Sequence, residues 1–270
     1  MRSSVTIKDQ SFCKKPILKI QGCCDSIIYV NAAVEYVSIS NCENCTIFIC
    51  AVRKVCAVEK CEKLALTVSS NLVSIGNTID SKFHTYSTFE PILFGDNKSL
   101  VMGPNNANYV EMIDKLKKAE ISFSTKSLIN FSYPFIFHEY WNIANNPIAT
   151  EPSKDFSVLV LPEDFTPIPS PLSQNLQMIL NMDKSALLAK CFEAQNTLII
   201  PFLAPQEYKD KIVEKDSKMK AIREKVVKSG LSKEQLVVLS NAIQGHYREW
   251  MMGRSEYKEI LDIVRWIKNE

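Results

Sequence analysis

From Leu18 to about Phe89 apolar and polar positions alternate, and the alternation itself recurs. Set in rows of 19 residues, the chain stacks Cys23, Cys42 and Cys61 in one column, with Asp80 next. Leu18, Val37, Cys56 and Ile75 make a second column, and Ile20, Ile39 and Val58 a third. Ser26, Cys45, Leu64 and Phe83 follow, then Ile28, Ile47, Leu66 and Thr85, then Val30, Ile49, Val68 and Ser87. Within a row, "VEYVSIS" (34–40) and "LALTVS" (64–69) alternate with the period of a strand and are rich in β-branched residues. Self-similarity near 20 residues predicts a solenoid in which short parallel strands stack about 4.8 Å apart and each coil buries its inner face against its neighbours.

After Phe89 the period fades. "EPILFGDNKSLVMGPNNANY" (90–109) carries turn formers around short apolar runs, as the closing coils would. "NYVEMIDKLKKAEI" (108–121) places Val110, Ile113, Leu116 and Ala119 on one stripe, which predicts an amphipathic helix capping the solenoid end. Residues 122–160 are rich in aromatic side chains, and 151–172 hold five prolines, which predicts an extended linker. Residues 173–193 read as a helix and "TLIIPFLAP" (197–205) as a short buried strand. Beyond Gln206 the chain reads as helical. Residues 208–233 hold nine Lys/Arg against four Asp/Glu, a solvated helix face or a contact for an acidic surface. Gly230 is a stop, and Ser232 with Gln235 forms a capping box for the next helix. Leu236, Ile243, Trp250, Tyr257 and Val264 then recur every seven residues, which favours a packed helical hairpin or a partner helix. The organisation expected is a lead (1–16), a β-helix with capping helix (17–121), an aromatic and Pro-rich segment packed on it or leading from it (122–205), and a helical region (206–270).

Composition narrows the functional classes. A net charge of +2 on 270 residues gives no bias towards nucleic acid or membranes. No apolar run approaches a membrane span, and the first ten residues lack the apolar core of a secretory signal. Eight of the nine cysteines lie between Cys13 and Cys61. Their columns predict free thiols packed as small core residues in a reducing compartment. The rival is zinc: Cys42 and Cys45 are spaced C-x-x-C, and Cys56 and Cys61 are the nearest further ligands. No Walker phosphate loop is present, and with seven glycines there is no Gly-rich cradle. The expectation is no cofactor and no metal.

The stretch "NCENCTIFICAVRKVCAVEKCEKLALTV" (41–68) resembles the C-CAP/cofactor C-like domain. "ILFGDNKSLVMGPNNANYVEMIDKLKKAEI", "WNIANNPI", "LVLPEDFTPI", "LIIPF" and "KMKAIREKVVKSGLSKEQLVVLSNAIQGHYREWM" extend the likeness to the tubulin-binding cofactor C (TBCC) domain-containing protein 1 family, over most of residues 17–252. The resemblance implies a mainly β solenoid, a right-handed parallel β-helix followed by a helical C-terminal region. It also implies a further region ahead of the β-helix that this sequence lacks. GTPase-activating members of the superfamily carry Q-x-R, whose Arg acts as an arginine finger worth about 10³ to 10⁵ in rate. Aligned on the following x-C-x-K-L, that motif falls on Val55, Cys56 and Ala57, so both functional side chains are missing. Arg53 would share a strand face with residues 55 and 57, about 13 Å from the motif's Arg position if extended.

The resemblance, with the Q-x-R side chains missing, implies a non-catalytic scaffold of the microtubule cytoskeleton at a centrosome, basal body, cilium or flagellum, in the cytoplasm. Its partners would be tubulin, microtubules or centrosomal and axonemal proteins, with no nucleic acid and no membrane. The alternative is a GTPase-activating protein for tubulin or an Arf-like small GTPase. Candidate binding residues are Arg53, Lys54, Asn105, Tyr109, Tyr247 and Trp250.

Overall fold

The 19-residue period becomes a stack of parallel strands. The computed structural model describes residues 3–8, 17–137, 148–194 and 197–252, with residues 247–252 by backbone alone. Three long strands, β3 (Ser26–Ser40), β4 (Thr46–Glu59) and β5 (Ala65–Gly76), pair in parallel and bend midway, so each contributes to two faces of a solenoid of about five turns. On one face the stack runs β1 (Ser3–Lys8), β3, β4, β5, β6 (Lys82–Ser87), β8 (Leu100–Pro104) and β10 (Ile148–Thr150). On the other it runs β2 (Ile17–Gln21), β3, β4, β5, β7 (Ile92–Phe94) and β9 (Phe135–Phe137). Single-residue bridges Cys24–Glu43–Glu62–Ile79–Lys98 close the third side. The expected lead and the aromatic segment thus both donate strands to the stack, at opposite ends.

The period is not uniform. Ile28, Ile47 and Leu66 stack as predicted, but Leu66 meets Phe83, not Thr85, and Cys56 meets Val73, not Ile75. Thr78, not Asp80, follows Cys61, since Glu62 bridges Ile79. The coil between β4 and β5 is two residues short, and the loss falls at the bend, where register shifts bracket Val52.

The cysteine columns are corners. Cys42 donates its S–H to the carbonyl of Ser40 (3.4 Å), Cys61 to Glu59 (3.4 Å), and Thr78 its hydroxyl to Gly76 (2.9 Å). A small side chain with one donor satisfies the corner carbonyl in each coil, and Cys and Thr serve alike. All eight described cysteines are free thiols, and burial pushes those of Cys42 and Cys56 up to about 12. Among the described residues, no group of three or more His, Cys, Asp or Glu is placed to hold a metal ion.

Two apolar cores result. One fills the solenoid, from Leu18 and Ile20 through Ile39, Ile49 and Leu66 to Met102, and is plugged by Phe131, Phe156, Ile200 and Tyr208. The second lies outside the first strand face, where Phe48, Cys50 and Tyr86 meet α1 (Val110–Lys118) and residues 156–203. Here α1 lies against β3 and β4 on the flank, contrary to the expected end cap. Phe48, Tyr109 and Phe165 give it an aromatic anchor, with Tyr109 and Phe165 ring centroids 4.8 Å apart.

The Pro-rich segment is not a free linker. Phe156, Phe165 and Ile168 are buried. The single helix expected over 173–193 is three: α2 (Ser170–Ser173), α3 (Leu176–Asn181) and α4 (Lys184–Glu193). Asn175 and Asp183 cap the last two by accepting from Met178 and Ala186, so each residue ends one helix by starting the next. Residues 197–205 are buried at Ile200, Phe202, Leu203 and Ala204 but form no strand; Pro201 and Pro205 lack the N–H a ladder needs.

The chain divides into two units, Met1–Lys215 and Asp216–Glu270. Helix α5 (Gln206–Lys228) begins in the first, where Tyr208 and Ile212 are buried. Within the second unit, Gly230 (φ 63°) follows α5, and Ser232 and Gln235 form the reciprocal capping box that starts α6 (Lys233–Met252). Leu236, Val237, Val238 and Ile243 are exposed on α6, so its apolar stripe is not buried in a packed hairpin among the described residues. Tyr257 and Val264 lie outside the described residues.

Candidate functional site

The two strand faces differ in what covers them. On the face carrying α1, β4 reads Ile47, Phe48, Ile49, Cys50, Ala51, Val52, all buried, because both sides of the sheet are packed. Past the bend, burial alternates: Cys56 and Val58 point into the core, and Val55, Ala57 and Glu59 point outwards, half-buried. The outward side chains stack in register across the coils. Ile17, Tyr36, Val55 and Leu72 form one column. Lys19, Ser38, Ala57, Ser74, Ile92 and Phe135 form the next. Ile17, Tyr36, Phe135 and Phe137 are exposed, so this open face is apolar at both ends and small in the middle.

Arg53 and Lys54 sit where β4 bulges at the bend: two residues stand opposite Glu35 alone in β3 and opposite Asn71 alone in β5. The Asn71 amide holds the bulge by donating to the Arg53 carbonyl. Arg53 donates to Glu35 (2.9 Å) and through its other nitrogen to both carboxylate oxygens of Glu120 (2.7 and 2.8 Å). Lys54 pairs with the second Glu35 oxygen (3.5 Å) and lies 4.8 Å from the Tyr36 ring centroid. The Arg53 hydrogen bond holds the Glu35 carboxyl below its usual range, and Glu120 and Glu35 hold the Arg53 guanidinium above its own. Ile17, Glu35, Tyr36, Arg53 and Lys54 line a hollow of about 170 Å³ at the edge of the open face.

Glu120 occupies a particular backbone position. Helix α1 ends in a Schellman turn, in which Ile121 N–H bonds to Leu116 and Glu120 N–H to Lys117. Glu120 is the residue with positive φ (54°), where glycine is usual.

The sequence-derived candidates therefore separate. Arg53, Lys54, Val55 and Ala57 lie together at the open face, and Cys56 is fully buried beneath it. Asn105 and Tyr109 are corrected to interior residues. Asn105 donates to Ser69 (3.1 Å) and accepts from Ala107 (2.9 Å), and the Tyr109 hydroxyl donates to Asn31 (3.0 Å) with its ring in the aromatic cluster. Neither has surface to offer a partner. The side chains of Tyr247 and Trp250 lie outside the described residues. Sequence reasoning missed Glu35, Tyr36 and Glu120. Glu35 stands 19 residues before Lys54, so the repeat itself aligned them; Glu120 lies 67 residues from Arg53 and carried no such signal.

Residues 16–135 match the family model for tubulin binding cofactor C. The chain is also similar to curated proteins named TBCC domain-containing protein 1: 24% identical over 247 residues to that of Xenopus tropicalis (91% of this chain, 39% of the relative), and 23% over 168 residues to that of Danio rerio (60% and 28%). The protein of that name from Mus musculus is 19% identical over 248 residues, 92% of this chain and 39% of its own length. The chain thus spans at most about two fifths of these relatives' length.

Proposed function

We propose that this protein, whose residues 16–135 match the family model for tubulin binding cofactor C, is a non-catalytic interaction module of the microtubule cytoskeleton that binds its partner through the open strand face. The observation that carries the reading is the state of Arg53. Its Nη1 donates to Glu35 and its Nη2 to Glu120, so it serves as a strut between two coils and the end of α1. Val55 and Ala57, where GTPase-activating members of the superfamily carry Gln and Arg, offer no donor to a phosphoryl group. What remains on that face is an apolar column, Ile17–Tyr36–Val55–Leu72, edged by Lys54. A centrosomal, basal-body or axonemal site belongs to the same proposal.

Co-sedimentation with stabilised microtubules and retention of tubulin dimers test it. Binding by the wild type, lost in Tyr36→Asp/Val55→Asp with the melting temperature kept, is expected. No retention by tubulin or by purified cytoskeletons would overturn the reading. GTPase activation is the competing reading, favoured by the partial exposure of the Arg53 guanidinium beside that face. It predicts GTP hydrolysis accelerated at least about 10²-fold by the wild type and not by Arg53→Ala.

A further inference from the structure

The column of corner thiols reaches the surface at its first coil. Cys42 and Cys61 are 2% exposed, whereas Cys23, their equivalent one coil earlier, is only half-buried, and Cys24 beside it is exposed. The Cys23 thiol is also held at longer range. Its S–H reaches the Gln21 carbonyl at 3.7 Å, against 3.4 Å from Cys42 to Ser40 and from Cys61 to Glu59. The corner itself does not require sulfur, since the Thr78 hydroxyl fills the same place in a later coil.

Cys23 and Cys42 stand in register. Cys24 bridges Glu43, with the Glu43 N–H donating to the Cys23 carbonyl (2.9 Å) and the Asp25 N–H to the Glu43 carbonyl (3.1 Å). That sets the Cys23 and Cys42 Cα atoms one strand spacing apart, about 4.8 Å, inside the roughly 4.4–6.8 Å that a disulfide spans. Each thiol donates to the carbonyl two residues before it, so both side chains leave the corner in the same direction. The Cys42 sulfur lies against the Cys23 N–H. Cys45, the other thiol of the second coil beside Cys23, turns its S–H to the Cys23 carbonyl (3.3 Å) instead.

We propose that Cys23 and Cys42 form a reversible disulfide, made by a hydroperoxide, that staples the first coil of the solenoid to the second. The Cys23 sulfur attacks the peroxide O–O bond and becomes Cys23–SOH; the oxygen that leaves takes up the thiol proton as an alcohol, or as water from hydrogen peroxide. The Cys42 sulfur then attacks the sulfenic sulfur. The S–S bond forms, the S–O bond breaks, and the Cys42 proton leaves with the hydroxide as water. Two thiols are oxidised and one peroxide is reduced. Burial pushes the Cys42 thiol up to about 12, so the second step is the slow one and quickens as pH rises. A dithiol reverses the staple by exchange. The stapled coil carries β2, the end strand of the open face.

The test treats the full chain with hydrogen peroxide at about pH 8, then unfolds and alkylates it. Two fewer of the nine thiols are expected to react, and dithiothreitol should restore them. Trypsin with a protease cutting after Glu35 and Glu43 separates Cys42 from Cys23 and Cys24, and a cross-link between those two fragments is expected. Cys24→Ser should keep the cross-link; Cys23→Ser and Cys42→Thr should remove it. Cys42→Thr copies the corner of Thr78, and its melting curve checks that the fold is kept. On oxidation the wild type should melt about 5 °C or more higher, as a closed loop of this size implies, and Cys42→Thr should not move. An unchanged thiol count, sulfinic acid at Cys23 beside a free Cys42, a Cys23–Cys45 cross-link, or a disulfide between two chains through Cys24 in its place overturns the proposal.

Discussion

Arg53 shows how one side chain can be claimed by structure. Its pair with Glu120 is exposed and that with Glu35 only part-buried, and pairs so open to solvent contribute little to stability. Their effect is positional: the guanidinium is held between Glu35 and Glu120. Glu120 makes this contact from a left-handed backbone position (φ 54°) that a Cβ disfavours. Glu120→Gly is therefore expected to keep or raise stability, by up to about 1 kcal/mol in chemical denaturation, while freeing Arg53. If tubulin binding or GTP hydrolysis then rises, the strut was restraining Arg53; if only the melting curve moves, it was structural. The thiols make a second prediction at this scale. Iodoacetamide at mildly alkaline pH should modify exposed Cys24 in the native protein and reach Cys56, buried and with its pKa raised to about 12, only after unfolding.

At the scale of elements, legibility followed locality. The strand period of 34–40 and 64–69 was readable because those residues stack on copies of themselves 19 positions away. The capping box at Ser232 and Gln235 was readable because both partners lie within one turn. The two-residue shortening between β4 and β5 was hidden, since the missing residues fall at a bend that keeps both flanking columns intact. The covering of one face was legible in principle: "IFICAV" (47–52) is a continuous apolar run, the mark of a strand buried on both sides. What covers it was not, because α1 and residues 156–203 reach it from far along the chain. Strand β10 is held by such a distant contact. Glu151, just beyond it, pairs with Lys82 and accepts from His84 (2.9 Å), and its own carbonyl accepts from Tyr208 (2.7 Å). Burial pushes the Glu151 carboxyl up, but His84 and Lys82 outweigh it and hold the group below its usual 4.5. A lowered folded value means the stabilisation is present above the unfolded carboxyl value and drains away as pH falls through the folded one. Glu151→Gln is expected to cost about 1–2 kcal/mol at neutral pH, since it weakens a buried charge-assisted hydrogen bond while the Lys82 charge left behind is 39% exposed and stays hydrated, and to flatten the loss of stability below about pH 4.5. Urea titrations across acidic pH would measure both; an unchanged acid limb would remove Glu151 from the account.

At the scale of the molecule, the solenoid has two outward strand faces, and among the described residues only one of them is covered by the chain itself. Phe48 and Val55 are both outward residues of β4, seven positions apart on either side of the bend. Phe48 is 1% exposed beneath Tyr109 and Phe165, whereas Val55 stands half-open between Tyr36 and Leu72. Removing buried aromatic bulk leaves a cavity, so Phe48→Ala is expected to cost about 3–5 kcal/mol, and Val55→Ala under about 1. Binding should show the reverse order. A partner that buries the Ile17–Tyr36–Val55–Leu72 column loses contact area in Val55→Ala and more in Val55→Asp, where an unpaired charge would be desolvated. Phe48→Ala, if still folded at low temperature, should bind as the wild type does. Melting curves and tubulin co-sedimentation on the same three variants decide it. Parallel losses of stability and binding would mean that the open face is merely an unfinished core, whereas opposite orders would identify it as the surface kept for another molecule.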